Sequence, residues 1–295
     1  MRITILYSSF TVFGKEIPIY GLLMIFGFAL AIAVAIPRAK KLEIPIAEIA
    51  YSAVFTVIGA IIGAKLLSIV TSLHIIIPYL QNGGSIIEVL KAGFVFYGGF
   101  IGGFLALFLY TKAYKEPFGK YIQMYVPSVP LGHLFGRIGC LFGGCCYGMP
   151  VSENFPFSVV YQFTDENYWS MVSTVPGQAY LPVQLIEALS LVVVYVIVEY
   201  AFYKSDKKFL PAYIYFFSYG ILRFTLEFFR GDAERGFFLG LSTSQIISLL
   251  ILGVSAFFLI KTILQKKKNT NNDIQLEIAL PESNINDEQH SKENS

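Results

Sequence analysis

The chain alternates long apolar stretches with short polar segments, and this pattern predicts its architecture. A helix that crosses a hydrocarbon core of about 30 Å needs roughly 20 mostly apolar residues. Seven stretches approach this length, at about residues 17–37, 46–70, 92–112, 121–144, 182–203, 210–230 and 240–263. Segment 71–91 is too broken by polar residues to cross, so we expect an interfacial or re-entrant loop there. The pattern predicts an all-α polytopic membrane protein with seven transmembrane helices and an outer-face loop or head region.

The two ends of the chain lack such stretches. Residues 1–16 alternate weakly between apolar and polar types, which indicates a short interfacial segment. From Gln265 onward the chain is polar, rich in asparagine and without aromatic residues, a composition typical of disordered segments. We therefore divide the chain into a seven-helix domain at 1–264 and a disordered cytoplasmic tail at 265–295.

Positive residues between the predicted spans indicate the orientation, because cytoplasmic segments are enriched in lysine and arginine. The segments that follow spans one, three, five and seven carry thirteen such residues, Arg38 among them. The segments on the opposite side carry four. We predict that the N-terminus lies outside the cell and the C-terminus in the cytoplasm.

Composition supports the membrane class and excludes others. Of 295 residues, 55% are hydrophobic and 14% are charged, far from the balance of a soluble domain. The net charge of +2 comes without a basic face interleaved with stacking aromatic residues, so nucleic acid is excluded as a partner. Cys140, Cys145 and Cys146 lack C-x₂-C spacing and an even count, so we expect no metal, no cofactor and no disulfide scaffold. They could be inert buried thiols or could form a vicinal disulfide.

Charged residues at the ends of spans four and six are candidates for chemistry. Tyr219, Arg223, Glu227 and Arg230 fall on one stripe of a helix, and Arg137 reaches the same membrane face. The stripe alone could be a self-contained ion-pair ladder. Three arginines with one glutamate instead require an outside anion, and phosphate suits guanidinium groups because it accepts bidentate hydrogen bonds.

Other polar residues lie near the same face if the orientation is right. Tyr20, Tyr97 and Gln184 stand at the outer ends of spans, where tyrosines are commonly interfacial. His133, four residues before Arg137, could be a base or could bond a backbone carbonyl. Glycine pairs spaced by four residues predict close helix packing, at 59 and 63, 98 and 102, 99 and 103, and 132 and 136.

Several stretches together resemble the prolipoprotein diacylglyceryl transferase family of bacterial inner-membrane enzymes. Segment 136–148 fits the glycines and the arginine of the pattern Gly-Arg-x-Gly-Asn-Phe-x-Asn-Gly-Glu-x-x-Gly. Segment 182–187 departs from Pro-x-Gln-Leu-Tyr-Glu only at Ile186. Tyr20-Gly21, Tyr97-Gly98-Gly99 and Tyr219-Gly220 are similar to further family motifs. The resemblance covers roughly residues 15–262.

The resemblance implies transfer of the diacylglyceryl group from phosphatidylglycerol to the lipobox cysteine of a prolipoprotein, with release of glycerol phosphate. It implies catalytic roles for Arg223, Tyr97 and Tyr20. It implies phosphatidylglycerol binding by a further set of residues, namely Arg137, Arg230, Glu227, Gln184 and His133. Expected partners are therefore phosphatidylglycerol, the prolipoprotein signal-peptide region and membrane lipid.

Departures from the family pattern keep two alternatives open. Tyr97 stands where the family has a histidine, and a phenol of pKa about 10 is a poor base at neutral pH. Cys140 and Gly143 replace two signature asparagines, and Cys145 replaces the signature glutamate. The chain could instead be a small-anion transporter or channel, or an enzyme of the family fold that uses thiol chemistry on another acceptor.

Overall fold

The computed structural model describes residues 2–91, 93, 95–163, 174–205, 207–231, 237–238 and 240–279. Most of these residues are helical. The helices are α1 Ile19–Lys41, α2 Ile46–Thr71, α3 Leu73–Gln81, α4 Ile86–Lys91, α5 Phe96–Ala113, α6 Phe118–Tyr125, α7 Val129–Phe142, α8 Val183–Lys204, α9 Leu210–Glu227 and α10 Thr243–Ala279. The strands are β1 Ile3–Ile5, β2 Ser9–Val12, β3 Lys15–Pro18, β4 Val159–Tyr161, β5 Ala179–Tyr180, β6 Phe237–Phe238 and β7 Leu241–Ser242.

Within these described ranges, four helices are long and apolar enough to cross a membrane: Ile19–Lys41, Ile46–Thr71, Val183–Lys204 and Thr243–Gln265 of α10. This finding agrees with the predicted helical membrane class. Segment 71–91 forms the short helices α3 and α4, neither of which has the length of a span.

The fourth predicted span is not one continuous helix. It divides into α6, a 3₁₀ turn at Val126–Ser128 and α7. Pro127 lies in the 3₁₀ turn and Pro130 in the first turn of α7, and neither has an amide hydrogen to donate to the preceding turn. Hydrophobicity alone predicted the stretch but not this break.

The last helix continues to Ala279, beyond the domain boundary predicted at residue 264. Backbone hydrogen bonds can propagate a helix through polar residues after its apolar face has ended. The boundary therefore does not coincide with the end of the helix. The remainder of the predicted tail, 280–295, lies outside the described residues.

The described strands form small sheets, one of which packs on the end of α7. β1 pairs in parallel with β4 in the register Ile3 to Val159, and β4 pairs antiparallel with β5. β2 and β3 form a hairpin whose two turn residues, Phe13 and Gly14, both have positive φ, as a type I′ turn requires. Segment 1–16, predicted only as interfacial, thus contributes strands to the fold. Tyr161 of β4 is buried with Leu141 of α7 in one apolar cluster.

Glycines bring α2 and α5 close together. A Cβ atom added to Gly63 would lie 2.8 Å from Gly102 Cα and would also collide with the carbonyl oxygen of Gly98. Gly59 faces Gly102 in the same way. The predicted close packing is confirmed for these two pairs, whereas Gly132 faces open space.

Two contacts bring together the lysine-bearing C-terminal ends of α1 and α8 and a part of α10. The Lys41 ammonium group at the end of α1 lies 5.2 Å from the ring centroid of Tyr203 at the end of α8. Lys207, which follows α8, donates to the carbonyl oxygen of Thr262 in α10 over 3.5 Å. The ends of α1 and α8 and this part of α10 therefore meet at one end of the helix bundle.

Arg38 does not lie in a loop, as the charge count assumed. It is a fully buried residue of α1 that donates to Met124 O over 2.9 Å and to the Ser128 hydroxyl, and it forms an ion pair with Glu199. Helix α1 continues through Pro37, which is why the predicted end of the span was wrong. Removing Arg38 from the thirteen leaves twelve positive residues against four.

Candidate active site

Arg137 lies where α7, α8 and α9 meet. Its Nε forms an ion pair with Glu187 Oε1 of α8 at 3.1 Å and donates a hydrogen bond to His133 Nε2 over 3.2 Å. Its Nη2 donates to the Tyr219 hydroxyl over 3.4 Å. The Tyr219 hydroxyl in turn donates to Glu187 Oε1 over 3.0 Å. Three side chains from three helices therefore hold the Arg137 guanidinium group in a fixed orientation.

The structure corrects the predicted charge balance of this cluster. The helix stripe predicted one carboxylate, Glu227, but Glu187 is a second one and is only 1% exposed. Arg137 and Arg223 each have a carboxylate partner, and Arg230 is the third arginine. The positive excess of the three guanidinium groups is therefore smaller than predicted.

Arg223 on α9 has one donor that no described residue accepts from. Its Nη2 lies 2.9 Å from Glu227 Oε2 and donates to the Ser244 hydroxyl over 3.0 Å. Its Nη1 is buried and has no hydrogen-bond partner among the residues that the structure describes. A buried guanidinium donor without an acceptor is costly, so this nitrogen is suited to an oxygen ligand from outside the chain.

Arg137 and Arg223 have two neighbouring side chains in common. Arg137 and Arg223 each lie close enough to His133 and Tyr219 to influence them electrostatically. Since Tyr219 and Arg223 are four residues apart on α9, the two guanidinium groups belong to one cluster. The predicted convergence of spans four and six is therefore observed.

The loop after α7 is fastened to the end of α9 by backbone contacts. Gly148 and Arg230 form an isolated antiparallel bridge, and Gly231 N donates to Tyr147 O over 3.0 Å. A Cβ atom on Gly148 would lie 2.7 Å from Leu181 Cβ and would collide with its carbonyl oxygen. Only glycine permits this approach, so Gly148 fixes the position of the loop beside Arg230.

Gln184 is fully buried in the first turn of α8 and joins this loop to the small sheet. Its Nε2 donates to Cys145 O over 2.8 Å and to the Tyr161 hydroxyl over 2.9 Å. Both amide hydrogens are thus used, while Oε1 is buried without a partner among the described residues. Gln184 can accept a hydrogen bond from a ligand hydroxyl group but cannot donate one to a phosphate oxygen.

The cysteines lie at the edge of the arginine cluster as free thiols. The pKa of the Cys146 thiol is held well below its usual range, first because the Cys140 and Cys145 thiols donate hydrogen bonds to it. The nearby guanidinium groups of Arg137 and Arg230 lower it further. Burial acts in the opposite direction.

The two tyrosines predicted to be catalytic lie in different places. Tyr20, in the first turn of α1, packs against α7, since a Cβ atom on Gly139 would lie 2.8 Å from the Tyr20 ring. Its electrostatic neighbours include Arg137 and the three cysteines. Tyr97, 40% exposed in the first turn of α5, belongs to a helix that packs chiefly against α2.

Sequence reasoning assigned no role to Glu187, Tyr161 or Ser244. Each contacts a predicted site residue from a different element: Glu187 from α8, Tyr161 from β4 and Ser244 from α10. Glu187 did carry a signal, because a glutamate near the end of an apolar span requires a partner. Tyr161 and Ser244 carried none.

Comparisons with known proteins show which family the chain resembles. A family model for prolipoprotein diacylglyceryl transferase matches residues 8–261. A phosphatidylglycerol-prolipoprotein diacylglyceryl transferase of Clostridium tetani (strain Massachusetts / E88) is 34% identical over 252 residues, which cover 84% of this chain and 95% of that protein. A protein of the same name from Clostridium botulinum (strain Langeland / NCTC 10281 / Type F) is 30% identical over 261 residues, covering 88% and 98%. One from Acinetobacter baumannii (strain ATCC 17978) is 29% identical over 242 residues, covering 80% and 85%. Because the family model matches most of the chain, the chain belongs to the prolipoprotein diacylglyceryl transferase family.

Proposed function

We propose that this protein transfers the diacylglyceryl group of phosphatidylglycerol to the lipobox cysteine of prolipoproteins. The observation that carries the proposal is the buried Arg223 Nη1, a guanidinium donor that has no acceptor among the described residues and lies in one cluster with a second fixed arginine. A lipid phosphate would supply that acceptor. The relatives named above carry this activity in their names, and those names give no support to an anion channel or to thiol chemistry on another acceptor.

In the proposed reaction, the thiol sulfur of the acceptor attacks the diacylglyceryl carbon that bears the phosphate oxygen. A carbon–sulfur bond forms, the carbon–oxygen bond breaks, and the oxygen leaves with its electron pair as glycerol phosphate. The thiol proton is released. Negative charge therefore grows on the leaving phosphate, and preorganised guanidinium groups aimed at that charge lower the barrier.

The contacts suggest a division of roles. Arg223 holds the leaving phosphate through Nη1, and Glu227 and Ser244 hold Arg223. Arg137 binds the headgroup and is positioned by Glu187, His133 and Tyr219. Arg137 and Arg223 together are called the phosphate clamp. Arg230, three residues after the end of α9, contributes a third positive charge to the phosphate site.

We assign the remaining predicted residues by their surroundings. Gln184 Oε1 accepts a hydrogen bond from a glycerol hydroxyl of the headgroup, because its amide hydrogens are already used. His133 positions Arg137, since its Nε2 accepts from the guanidinium and is not available as a base in that state. Tyr20 borders the site beside Gly139, and Tyr97 is a substantially exposed residue in the first turn of α5.

We further propose seven transmembrane helices in the bacterial inner membrane, with the N-terminus outside and the C-terminus in the cytoplasm. The site joins the end of α7 to the start of α8, whereas Lys41 and Tyr203 meet at the opposite end of these helices. The side that carries Lys41 has twelve positive residues, and the side that carries the site has four. This difference favours a cytoplasmic location for the Lys41 end of the helices. The site would then open toward the outer leaflet, where the head region around β1, β4 and β5 lies.

Purified protein in detergent with phosphatidylglycerol and a lipobox peptide tests the proposal. We expect a peptide thioether and equimolar glycerol phosphate, both detected by mass spectrometry. Arg223→Lys keeps the charge beside Glu227 but removes Nη1, so turnover should fall by about 10²- to 10³-fold, the cost of one lost transition-state donor.

Arg2→Lys is the matched control, because Arg2 is an exposed residue paired with exposed Glu153 over 3.4 Å. Its turnover should equal that of the unmodified protein. Absence of thioether from well-folded protein, or equal turnover for Arg223→Lys and Arg2→Lys, would refute the proposal.

A further inference from the structure

The three cysteines of the chain converge at the end of α7. The Sγ atoms of Cys140, Cys145 and Cys146 all lie within 4.8 Å of one another. Cys140 and Cys146 are partly buried and Cys145 is exposed. Three thiols at this separation, one of them open to the outside, are a candidate metal-binding group.

The backbone produces this convergence by reversing direction after the helix. Gly143 N donates to Gly139 O over 2.8 Å and Cys145 N donates to Cys140 O over 3.2 Å, which folds the loop back over the last turn of α7. Gly144 and Cys146 have φ angles of 61° and 58°, in the left-handed region. For Cys146, which has a Cβ atom, this conformation costs about 1 to 3 kcal/mol, a strain that clusters at functional sites.

The separation fits a single thiophilic ion. Tetrahedral coordination with metal–sulfur bonds of about 2.3 Å places sulfur atoms roughly 3.8 Å apart. The upper bound of 4.8 Å is thus close enough for side-chain rotation alone to close the group around a metal. Thiolate ligands select zinc or copper(I) over the hard cations magnesium and calcium.

We propose that Cys140, Cys145 and Cys146 form a three-thiolate site for a zinc ion, with the fourth coordination position left for an external ligand. Three thiolates and one Zn²⁺ carry a net charge of −1, and the neighbouring guanidinium groups of Arg137 and Arg230 offset it. Exposed Cys145 provides the access route for the ion.

This inference departs from our sequence-based expectation of no metal site. That expectation rested on the absence of C-x₂-C spacing, in which one short turn supplies both ligands. Here the helix end supplies one ligand and the reversed loop supplies the other two. The inference does not depend on the transferase activity, and its test measures metal directly.

The experiment uses the full chain purified in detergent under reducing conditions and without chelator. Elemental analysis should find about one zinc ion per chain. After removal of that metal, Co²⁺ titration should give a thiolate-to-cobalt charge-transfer band that added Zn²⁺ abolishes. A parallel titration with Cu⁺ determines whether copper(I) binds more tightly, an outcome that would overturn zinc as the occupant.

Three variants and one control assign the ligands. Cys140→Ser, Cys145→Ser and Cys146→Ser should each weaken Co²⁺ binding by more than about 10-fold, since even outer-shell changes have effects of this size. His74→Gln removes an exposed histidine of α3 and should bind Co²⁺ like the unmodified protein. Undiminished binding in the serine variants would overturn the proposal.

A measurement on the unmodified protein avoids any dependence on variant folding. Zn²⁺ should slow maleimide labelling of all three cysteines together, as mapped by mass spectrometry of peptides. Labelling that is unchanged by Zn²⁺ would overturn the site. So would two cysteines that resist labelling until a reductant is added, because that result identifies a disulfide.

Discussion

Removal of the Glu187 charge gives a sharp test of the arginine cluster. Glu187→Gln keeps the shape of the side chain but leaves the Arg137 guanidinium group, which is only 13% exposed, without its carboxylate partner. At the observed 3.1 Å separation and an effective dielectric constant of about 20, the Coulomb energy of the pair is ~5 kcal/mol. This value agrees with the loss of about 3 to 5 kcal/mol seen when a buried pair is broken on one side.

The lost charge can be replaced by a ligand. A phosphate bound at the site supplies a negative charge to Arg137, so phosphatidylglycerol should restore part of the stability that Glu187→Gln removes. We expect a large fall in apparent Tm in a neutral detergent and a clearly smaller fall when phosphatidylglycerol is added. Thermal unfolding followed by tryptophan fluorescence or by loss of monodisperse protein measures both values.

Glu199→Gln is the matched control because it makes the same change beside another buried arginine, Arg38. That ion pair lies away from the proposed phosphate site, so its loss should lower the apparent Tm equally with and without phosphatidylglycerol. If the lipid stabilises Glu187→Gln no more than it stabilises Glu199→Gln, Arg137 does not bind the headgroup and the clamp hypothesis fails.

Three further substitutions test the loop after α7, the packing of α2 against α5, and the buried Arg38 ion pair. Gly148→Ala should abolish turnover and expose the loop to proteolysis, because the methyl group collides with backbone, whereas Gly132→Ala has open space and should leave both unchanged. Gly63→Ala should lower the unfolding free energy by about 1 to 3 kcal/mol, measured by steric trapping or denaturant, as overpacking of α2 against α5 requires. Arg38→Ala should cost about 3 to 5 kcal/mol in the same assay, since it leaves a largely buried carboxylate unpaired. Equal stability of Arg38→Ala and the unmodified protein would contradict the structural role given to that ion pair.

Much of the helical architecture follows from local sequence pattern. The apolar stretches at 46–70 and 182–203 coincide with α2 and α8 to within one residue at each end. Residues of one helix stripe are also local, so the proximity of Tyr219, Arg223 and Glu227 could be predicted from their spacing. The break of span four was predictable in principle from Pro127 and Pro130, which hydropathy does not weigh.

The partners across helices were not predictable in this way. Glu187 lies 50 positions from Arg137, and only the packing of α8 against α7 makes it the carboxylate that fixes this guanidinium group. Arg38 is read in the sequence as a loop charge but is buried in the structure, because Glu199 from α8 neutralises it.

The hydrophobic pattern by itself determined where the long apolar helices lie and which of their faces carry charge, since both depend on residues a few positions apart. Tertiary structure alone decided how those charges are paired, that Arg223 Nη1 finds no acceptor within the described part of the chain, and that three thiols meet at the end of α7. These features depend on contacts between separate helices and on backbone reversal, for which a periodic pattern carries no information.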